Sequence, residues 1–276
     1  MSKKQKRLLL AEDLSAVGNI SLGVASPILQ AKDIPVALLP TSLLSSQSEG
    51  FAKPAVVELG NWIQDAFKHW ESADIAINSA LIGYFDQVEV GIALKEFFQK
   101  HSLDLVVLDP AFADEGELYP RMTLDHVKNM RELLSFAHVT TPNVTEAYYL
   151  TDSEFVLNDR QSLKTLLEKM EALMQPGGRA IITGVTVGEQ LGCALLEDGK
   201  VKKTLFPTVP GHFYGSGDVF SALLTVFLWE GYPLDKAVKE ATEVTYIGLK
   251  QTSQSSDERR FGIKLSGIIK HLLDNH

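Results

Sequence analysis

The run Gly215-Ser216-Gly217-Asp218 stands directly before the uncharged stretch Val219 to Trp229, so two glycines, a hydroxyl and a carboxylate open an apolar helix. Glycines let backbone amides turn toward a ligand with no Cβ in the way, and the first turn of a helix presents unpaired N–H donors and partial positive charge. This is chemistry suited to an anion, with the Asp218 carboxylate placed beside it. The same residues also suit a plain helix start, because Asp is a favoured N-cap. A second carboxylate, Asp109, follows the apolar run Leu105 to Leu108 and opens Asp109-Pro110-Ala111-Phe112-Ala113-Asp114-Glu115-Gly116. Carboxylates at a strand end could hold Mg²⁺, directly or through water, because hard cations prefer oxygen; a solvated acidic loop would have the same composition. In Thr141-Pro142-Asn143-Val144-Thr145-Glu146, Asn143 and Glu146 share one face of an opening helical turn, either as oxygen ligands or as a capping box. Asp13, in Ala11-Glu12-Asp13-Leu14-Ser15, reads as a ligand contact or as the cap of the next helix.

The elements that must position these groups alternate along the chain. Leu8 to Ala11, Val36 to Leu39, Ile75 to Ile77, Leu105 to Leu108 and Ala180 to Thr183 read as buried strands. Between and after them, Ile20 to Ala31, Val56 to Trp70, Val88 to Lys100, Leu124 to Phe136, Arg160 to Met174, Val219 to Trp229, Leu234 to Leu249 and Ile263 to Leu273 read as helices. Such alternation predicts a mostly parallel sheet covered on both faces, with ligands beyond the carboxyl ends of the strands. Leu191 to Leu196 and Val201 to Phe206 flank Glu197-Asp198-Gly199-Lys200 and read as an antiparallel hairpin at the sheet edge. Thr41 to Ala52 and Gln251 to Arg260 read as polar loops, the former as a mobile lid. No repeat or composition break divides the chain, so residues 1–276 are expected to form a single domain.

Composition narrows the partners. With 26 basic and 35 acidic residues the formal net charge is −9, which opposes a polyanion, so nucleic acid is not expected. A phosphate ester would need local amides or a metal ion, which points to Mg²⁺. The single cysteine, Cys193, excludes an internal disulfide and reads as a core filler. The basic start Met1 to Arg7 leads into too short an apolar run for a signal peptide, and Val219 to Trp229 is well short of the roughly 20 residues a bilayer requires. A cytoplasmic protein without membrane attachment is expected. The chain has no G-x-x-x-x-G-K-[ST] and no complete dinucleotide fingerprint.

In order and spacing, Gly215 to Asp218, the run Asp109 to Tyr119 and Thr141 to Ala147 resemble the ribokinase-like superfamily, and within it the vitamin B6 (pyridoxal, pyridoxine and pyridoxamine) kinases. Asp13 to Gly18 and Leu39 to Ser45 look like the bacterial pyridoxamine kinase branch. The resemblance implies a three-layer α/β/α fold and ATP-dependent phosphorylation of the vitamin's 5′-hydroxymethyl group, with Asp218 as base and the amides of Gly215, Ser216 and Gly217 on the phosphoryl group. It further implies that Asp109, Asn143, Glu146 and Thr183 serve ATP, that Asp109 and Glu146 serve Mg²⁺, and that Asp13, Thr41 and Tyr84 line the acceptor site. A homodimer is implied as well, and whether a monovalent cation assists Mg²⁺ stays open. Hydroxymethylpyrimidine phosphorylation in thiamine synthesis is the nearest alternative, and a non-catalytic member binding B6 or nucleotide is another. Ala111-Phe112-Ala113 replaces the more usual Val-Met-Gly, and His212 is left without a role.

Overall fold

The centre of the molecule is set by β1 (Arg7–Ser15), whose Leu8, Leu9, Leu10 and Ala11 are wholly buried. A strand apolar on both faces belongs inside a parallel sheet covered on both sides. The computed structural model describes residues 5–153 and 160–274, so residues 1–4 of the basic start lie outside the described residues. Around β1 lie β2 (Val36–Leu44), β3 (Val56–Glu58), β4 (Ile77–Ile82), β5 (Leu105–Leu108), the short β6 (Ala113–Asp114) and β7 (Glu117–Leu118), and β8 (Val139–Thr140). The chain continues through β9 (Arg179–Val187), β10 (Gln190–Glu197) and β11 (Lys200–Pro207). Among the described residues these make a nine-stranded sheet in the order β11-β10-β9-β8-β5-β4-β1-β2-β3, with β6 and β7 paired separately. From β2 to β9 across the sheet the pairing is parallel; β3 at one edge and β10 and β11 at the other are antiparallel.

The helices are α1 (Leu22–Gln30), α2 (Gly60–Ser72), α3 (Val88–Lys100), α4 (Leu124–Leu134), α5 (Val144–Leu150), α6 (Arg160–Leu173), α7 (Ser216–Trp229), α8 (Leu234–Ser253) and α9 (Ser266–Asp274). Leu9 and Ala11 face a core built with α2 to α6, whereas Leu8 and Leu10 face one built with α1, α7, α8 and α9. This is the expected three-layer α/β/α arrangement, with one apolar core on each side of the sheet. Helix α7 is buried at every residue from Val219 to Phe227, which is why that stretch carries no charge.

Several boundaries differ from the sequence reading, among them α9, expected from Ile263 but starting at Ser266, and α8, which runs to Ser253 and so takes in the start of the expected loop Gln251 to Arg260. Val56 to Glu58, expected within a helix, is the edge strand β3, because its backbone pairs with Ser42 to Leu44 and α2 begins only at Gly60. Thr41 to Leu44, expected to open a loop, completes β2, where buried Thr41 and Ser42 escape a composition argument. The strand expected at Ile75 to Ile77 instead starts at Ile77, and helix α7 starts at Ser216 rather than Val219. No described helix is long and apolar enough to cross a membrane.

At the expected hairpin, β10 pairs with β11 from Glu197↔Lys200 to Gln190↔Pro207. Gly192 sits where the β9–β10 register shifts, with the Thr204 carbonyl occupying the space a Cβ would need. Gly192→Ala is expected to destabilise the protein by about 2 kcal/mol, since overpacking a built interior costs roughly 1–3 kcal/mol; a urea midpoint unchanged from wild type would contradict this.

Candidate active site

From β1 the chain first builds outward through β2 and β3, then returns to the other side of β1 through β4, β5, β8 and β9. The crevice at such a reversal, beyond the carboxyl ends of the strands, is where open α/β sheets bind ligands. A cavity of about 460 Å³ lies there. Its wall contains Asp13, Tyr84, Asp109, Asn143, Glu146, Thr183 and the whole turn Gly215 to Asp218, so the chain brings together all but one of the residues singled out in sequence. Thr41 is the exception: it is wholly buried behind the wall, and its Oγ1 donates to the Tyr84 carbonyl at 2.7 Å. Thr41 positions the Tyr84 backbone rather than touching the cavity.

The turn before α7 has the conformation that its glycines permit. Gly215 is the N-cap, in the left-handed region at φ 80°, and a Cβ there would lie 3.0 Å from the Asn19 carbonyl oxygen. Ser216, Gly217 and Asp218 are the first helical residues, ahead of the first intrahelical bond from Val219 N–H to the Gly215 carbonyl at 3.0 Å. Their amides are therefore among the donors a helix start leaves free. Asp218 is not the cap that its type suggested; its Oδ2 instead accepts the Ser21 N–H at 2.7 Å. Ser21 heads α1 at φ 45° and ψ −128°, a conformation costing about 1–3 kcal/mol, so local strain is spent on aiming an amide at this carboxylate. Burial raises the pKa of Asp218, and the Ser21 amide opposes that rise.

Asp109 is steered from the same helix. Ser221, three residues beyond Asp218 and hence on the same face of α7, donates to Asp109 Oδ2 at 2.6 Å and lies 2.9 Å from the Thr141 hydroxyl. Glu146 is held by backbone alone: its Oε1 accepts from Phe112 and Ala113 N–H at 2.9 and 3.4 Å, and its Oε2 from Asn143 N–H at 2.9 Å. Asn143 completes the capping box by accepting the Glu146 N–H at 2.9 Å, while its amide donates to the Ala113 carbonyl at 2.7 Å. Thr183 N–H binds the Pro142 carbonyl at 2.9 Å and so sits beside Asn143. At the other end of the cavity Asp13 accepts the Ser15 hydroxyl at 2.9 Å. Tyr84 is buried, which raises its pKa, with the Asp86 charge adding to the effect.

Sequence reasoning passed over Glu12. Its carboxyl is buried, its Oε2 has no hydrogen-bond partner, and it occupies the space left by the absent side chain of Gly83, where a Cβ would lie 2.8 Å from Glu12 Cγ. Burial, then the charges of Asp218, Asp109 and Asp13, raise its pKa well above the carboxylate range. The only available signal was the acidic pair Glu12-Asp13 at the end of an apolar strand. Ser221 and Thr141, too, gave no sign in sequence of steering Asp109.

Burial also raises the carboxyls of Asp13 and Asp109 to about 7, with the Asp218 charge contributing to both, and Glu146 to about 8, with Asp109 contributing. Because these groups hold protons more tightly folded than unfolded, the folded state binds more protons between the ordinary carboxylate range and these values. Their burial is therefore best tolerated at low pH, and stability falls as pH rises toward 8. The melting temperature is expected to fall by roughly 3 °C or more between pH 5 and pH 8, to recover partly with millimolar Mg²⁺ at pH 8 but not at pH 5, and to fall less in Asp109→Asn. A flat profile in calorimetry, insensitive to Mg²⁺, would refute this electrostatic picture.

Residues 40–260 match the phosphomethylpyrimidine kinase family. The structure is similar to that of pyridoxal kinase from Lactobacillus plantarum, with 36% identity and a TM-score of 0.93 over 98% of this chain and 96% of that one. It is similar also to a Bacteroides thetaiotaomicron protein whose orthorhombic crystal form contains pyridoxal, at 28% identity and a TM-score of 0.90 over 98% of this chain and 96% of that one. The hydroxymethylpyrimidine/phosphomethylpyrimidine kinase of Haemophilus influenzae is 31% identical over 181 residues, 62% of this chain and 64% of the relative. The chain spans about half to two-thirds of the curated relatives from Caenorhabditis elegans, Schizosaccharomyces pombe and H. influenzae, matching 56%, 44% and 64% of their lengths. With a family match across most of its length and a shared three-layer fold, the chain belongs to the ribokinase-like family of pyridoxal and phosphomethylpyrimidine kinases.

Proposed function

We propose that the chain transfers the γ-phosphoryl group of ATP to the 5′-hydroxymethyl group of pyridoxal, pyridoxine or pyridoxamine, giving the 5′-phosphate and ADP. The observation that carries this reading is Asp218 in the first turn of α7, held by the Ser21 amide beside the free N–H groups of the turn and facing the cavity. The acceptor oxygen attacks the γ-phosphorus, the bond to the β–γ bridging oxygen breaks with its electron pair leaving on ADP, and the hydroxyl proton passes to Asp218. Phosphoryl transfer depends on alignment and on donors aimed at developing charge, which the amides of Gly215, Ser216 and Gly217 supply. Asn143 and Thr183 contact the nucleotide phosphates. Asp13 and Tyr84 bind the polar edge of the acceptor ring, with Thr41 holding the Tyr84 backbone.

The donor set fits Mg²⁺. Asp109 and Glu146 are buried carboxylates on the cavity wall, and oxygen donors of this kind suit a hard cation. Asp109 would hold it directly, and Glu146, whose oxygens already accept amides, through water. When bound, the ion neutralises charge on the phosphates and relieves the crowding of the carboxyls.

A second reading, phosphorylation of hydroxymethylpyrimidine or its phosphate, is favoured by the family match itself. ADP formation with MgATP and each acceptor separates the two. Turnover of a B6 vitamer that falls about 10²–10⁴-fold in Asp218→Ala, with the KM for MgATP little changed, is the expected result. Turnover with the pyrimidine alone would select the second reading, and turnover with no acceptor would leave a binding-only protein. Undiminished activity in Asp218→Ala would displace the base. The homodimer is supported by exposed Leu14, Leu43 and Val57, which register across β1, β2 and β3 as an apolar row. Leu43→Asp is expected to shift the mass in solution from twice the chain mass to that of one chain; a wild-type monomer would reject the dimer.

A further inference from the structure

The polar stretch Gln251 to Arg260, which none of the proposed chemistry uses, ends in a 3-10 turn, Arg259–Phe261, whose two arginines reach in different directions. Arg260 reaches the loop 45–55, whose Gln47, Ser48 and Glu49 line the cavity on the side proposed for the acceptor. Its Nη1 donates to the Gly50 carbonyl at 3.2 Å, its guanidinium lies 4.7 Å from the centre of the Phe51 ring, and its own carbonyl accepts the Gln47 side-chain amide at 2.5 Å. Phe51 also meets Phe261 edge to face at 5.3 Å. Arg259 serves the wall that leads into the anion-binding turn: its Nη1 donates to the Pro210 carbonyl at 2.5 Å and its guanidinium lies 4.3 Å from the centre of Phe213. The two walls also touch each other, since a Cβ on Gly50 would lie 3.3 Å from the Tyr214 hydroxyl and 3.1 Å from Arg260 Cβ. Tyr214 immediately precedes Gly215. The turn itself is anchored to the strand end by Asn19 N–H, which donates to the Phe261 carbonyl at 2.8 Å, two residues before the Ser21 amide that holds Asp218.

We propose that Arg259 and Arg260 are positioning residues that clamp the acceptor loop, 45–55, and the loop entering the anion hole, 208–215, to one anchored turn, so that the two walls of the cavity open and close together. An arginine combines a flat face for an aromatic ring with in-plane donors for a carbonyl, so each residue grips its loop by two kinds of contact at once. Closing one wall then lowers the freedom of the other, and acceptor and nucleotide sites become coupled through a shared element.

Hydrogen exchange on the full, unliganded chain reads this without any assumption about the reaction, so it remains decisive if the kinase reading fails. Arg260→Ala, which removes the side-chain contacts to Gly50 and Phe51 together with those to Glu258 and Phe261 in its own turn, is expected to speed exchange about tenfold or more both at 45–52 and at 211–217, while the β1 and β4 amides stay as protected as in wild type. Arg259→Ala is expected to loosen the same two segments from the opposite side. If each substitution loosens only the loop it touches, the clamp is refuted. Should Arg260→Ala fail to fold, Arg260→Lys keeps the charge but loses the flat face, and must loosen both segments by a smaller factor or the proposal falls. In turnover assays with whichever acceptor is accepted, Arg259→Ala is expected to raise the acceptor KM about tenfold although the Arg259 guanidinium bonds Pro210 and faces Phe213 on the opposite loop; an unchanged acceptor KM would likewise overturn it.

Discussion

Repulsion among Glu12, Asp13, Asp109, Glu146 and Asp218 governs the mouth of the sheet. All but Asp218, which is half-buried, expose less than a tenth of their surface, and among the described residues no lysine or arginine lines the cavity beside them. Buried carboxylates without a paired cation are costly, and a fold that places them together must either protonate them or supply compensating dipoles. Here the compensation comes from backbone and hydroxyl groups: the Ser21 amide at Asp218, the Ser221 hydroxyl at Asp109, and the amides of Phe112, Ala113 and Asn143 at Glu146. The Oε2 of Glu12 receives none. A site so short of positive charge favours a ligand that brings its own, as a nucleotide with its divalent ion does.

The same arrangement anchors α7 at both of its first two turns. Its first turn is fixed to α1 through Ser21, its second to the end of β5 through Ser221, and the rest is buried among β1, α1 and α8. Asp218 and the hydroxyl that holds Asp109, the proposed base and the partner of the proposed metal ligand, thereby share one helix rather than two loops. Preorganisation of this kind is what phosphoryl transfer requires of a protein, since alignment and electrostatics do most of the work.

Legibility in sequence followed the physics of each segment. Helix α3 was readable to the residue, Val88 to Lys100, because apolar side chains recur at helical spacing between clear ends, and the β10–β11 hairpin was readable from its Gly turn. The glycine turn at 215–218 and the Asn143-Glu146 box were readable because backbone conformation and capping leave local signatures. What escaped depends on partners distant in the chain. The edge strand Val56 to Glu58 exists through pairing with β2, Thr41 and Ser42 are buried by the layers around them, and Ser221 acquires meaning only when Asp109 lies opposite. Arg260 stood in sequence only as the end of a polar loop, and its role depends on Gly50 and Phe51, about 210 residues away.

Glu12 and Gly83 lie far apart in the chain yet occupy a single volume, since the carboxyl stem of one fills the place where the other would carry its Cβ. For an evolving lineage the two positions are one decision. A side chain at 83 becomes admissible only after 12 has shrunk, so the order of substitutions is constrained even where both end states are sound. Relatives with a larger residue at the end of β4 should therefore carry a smaller one at the end of β1, and the pair would serve as a marker for how this branch shaped the floor of its site.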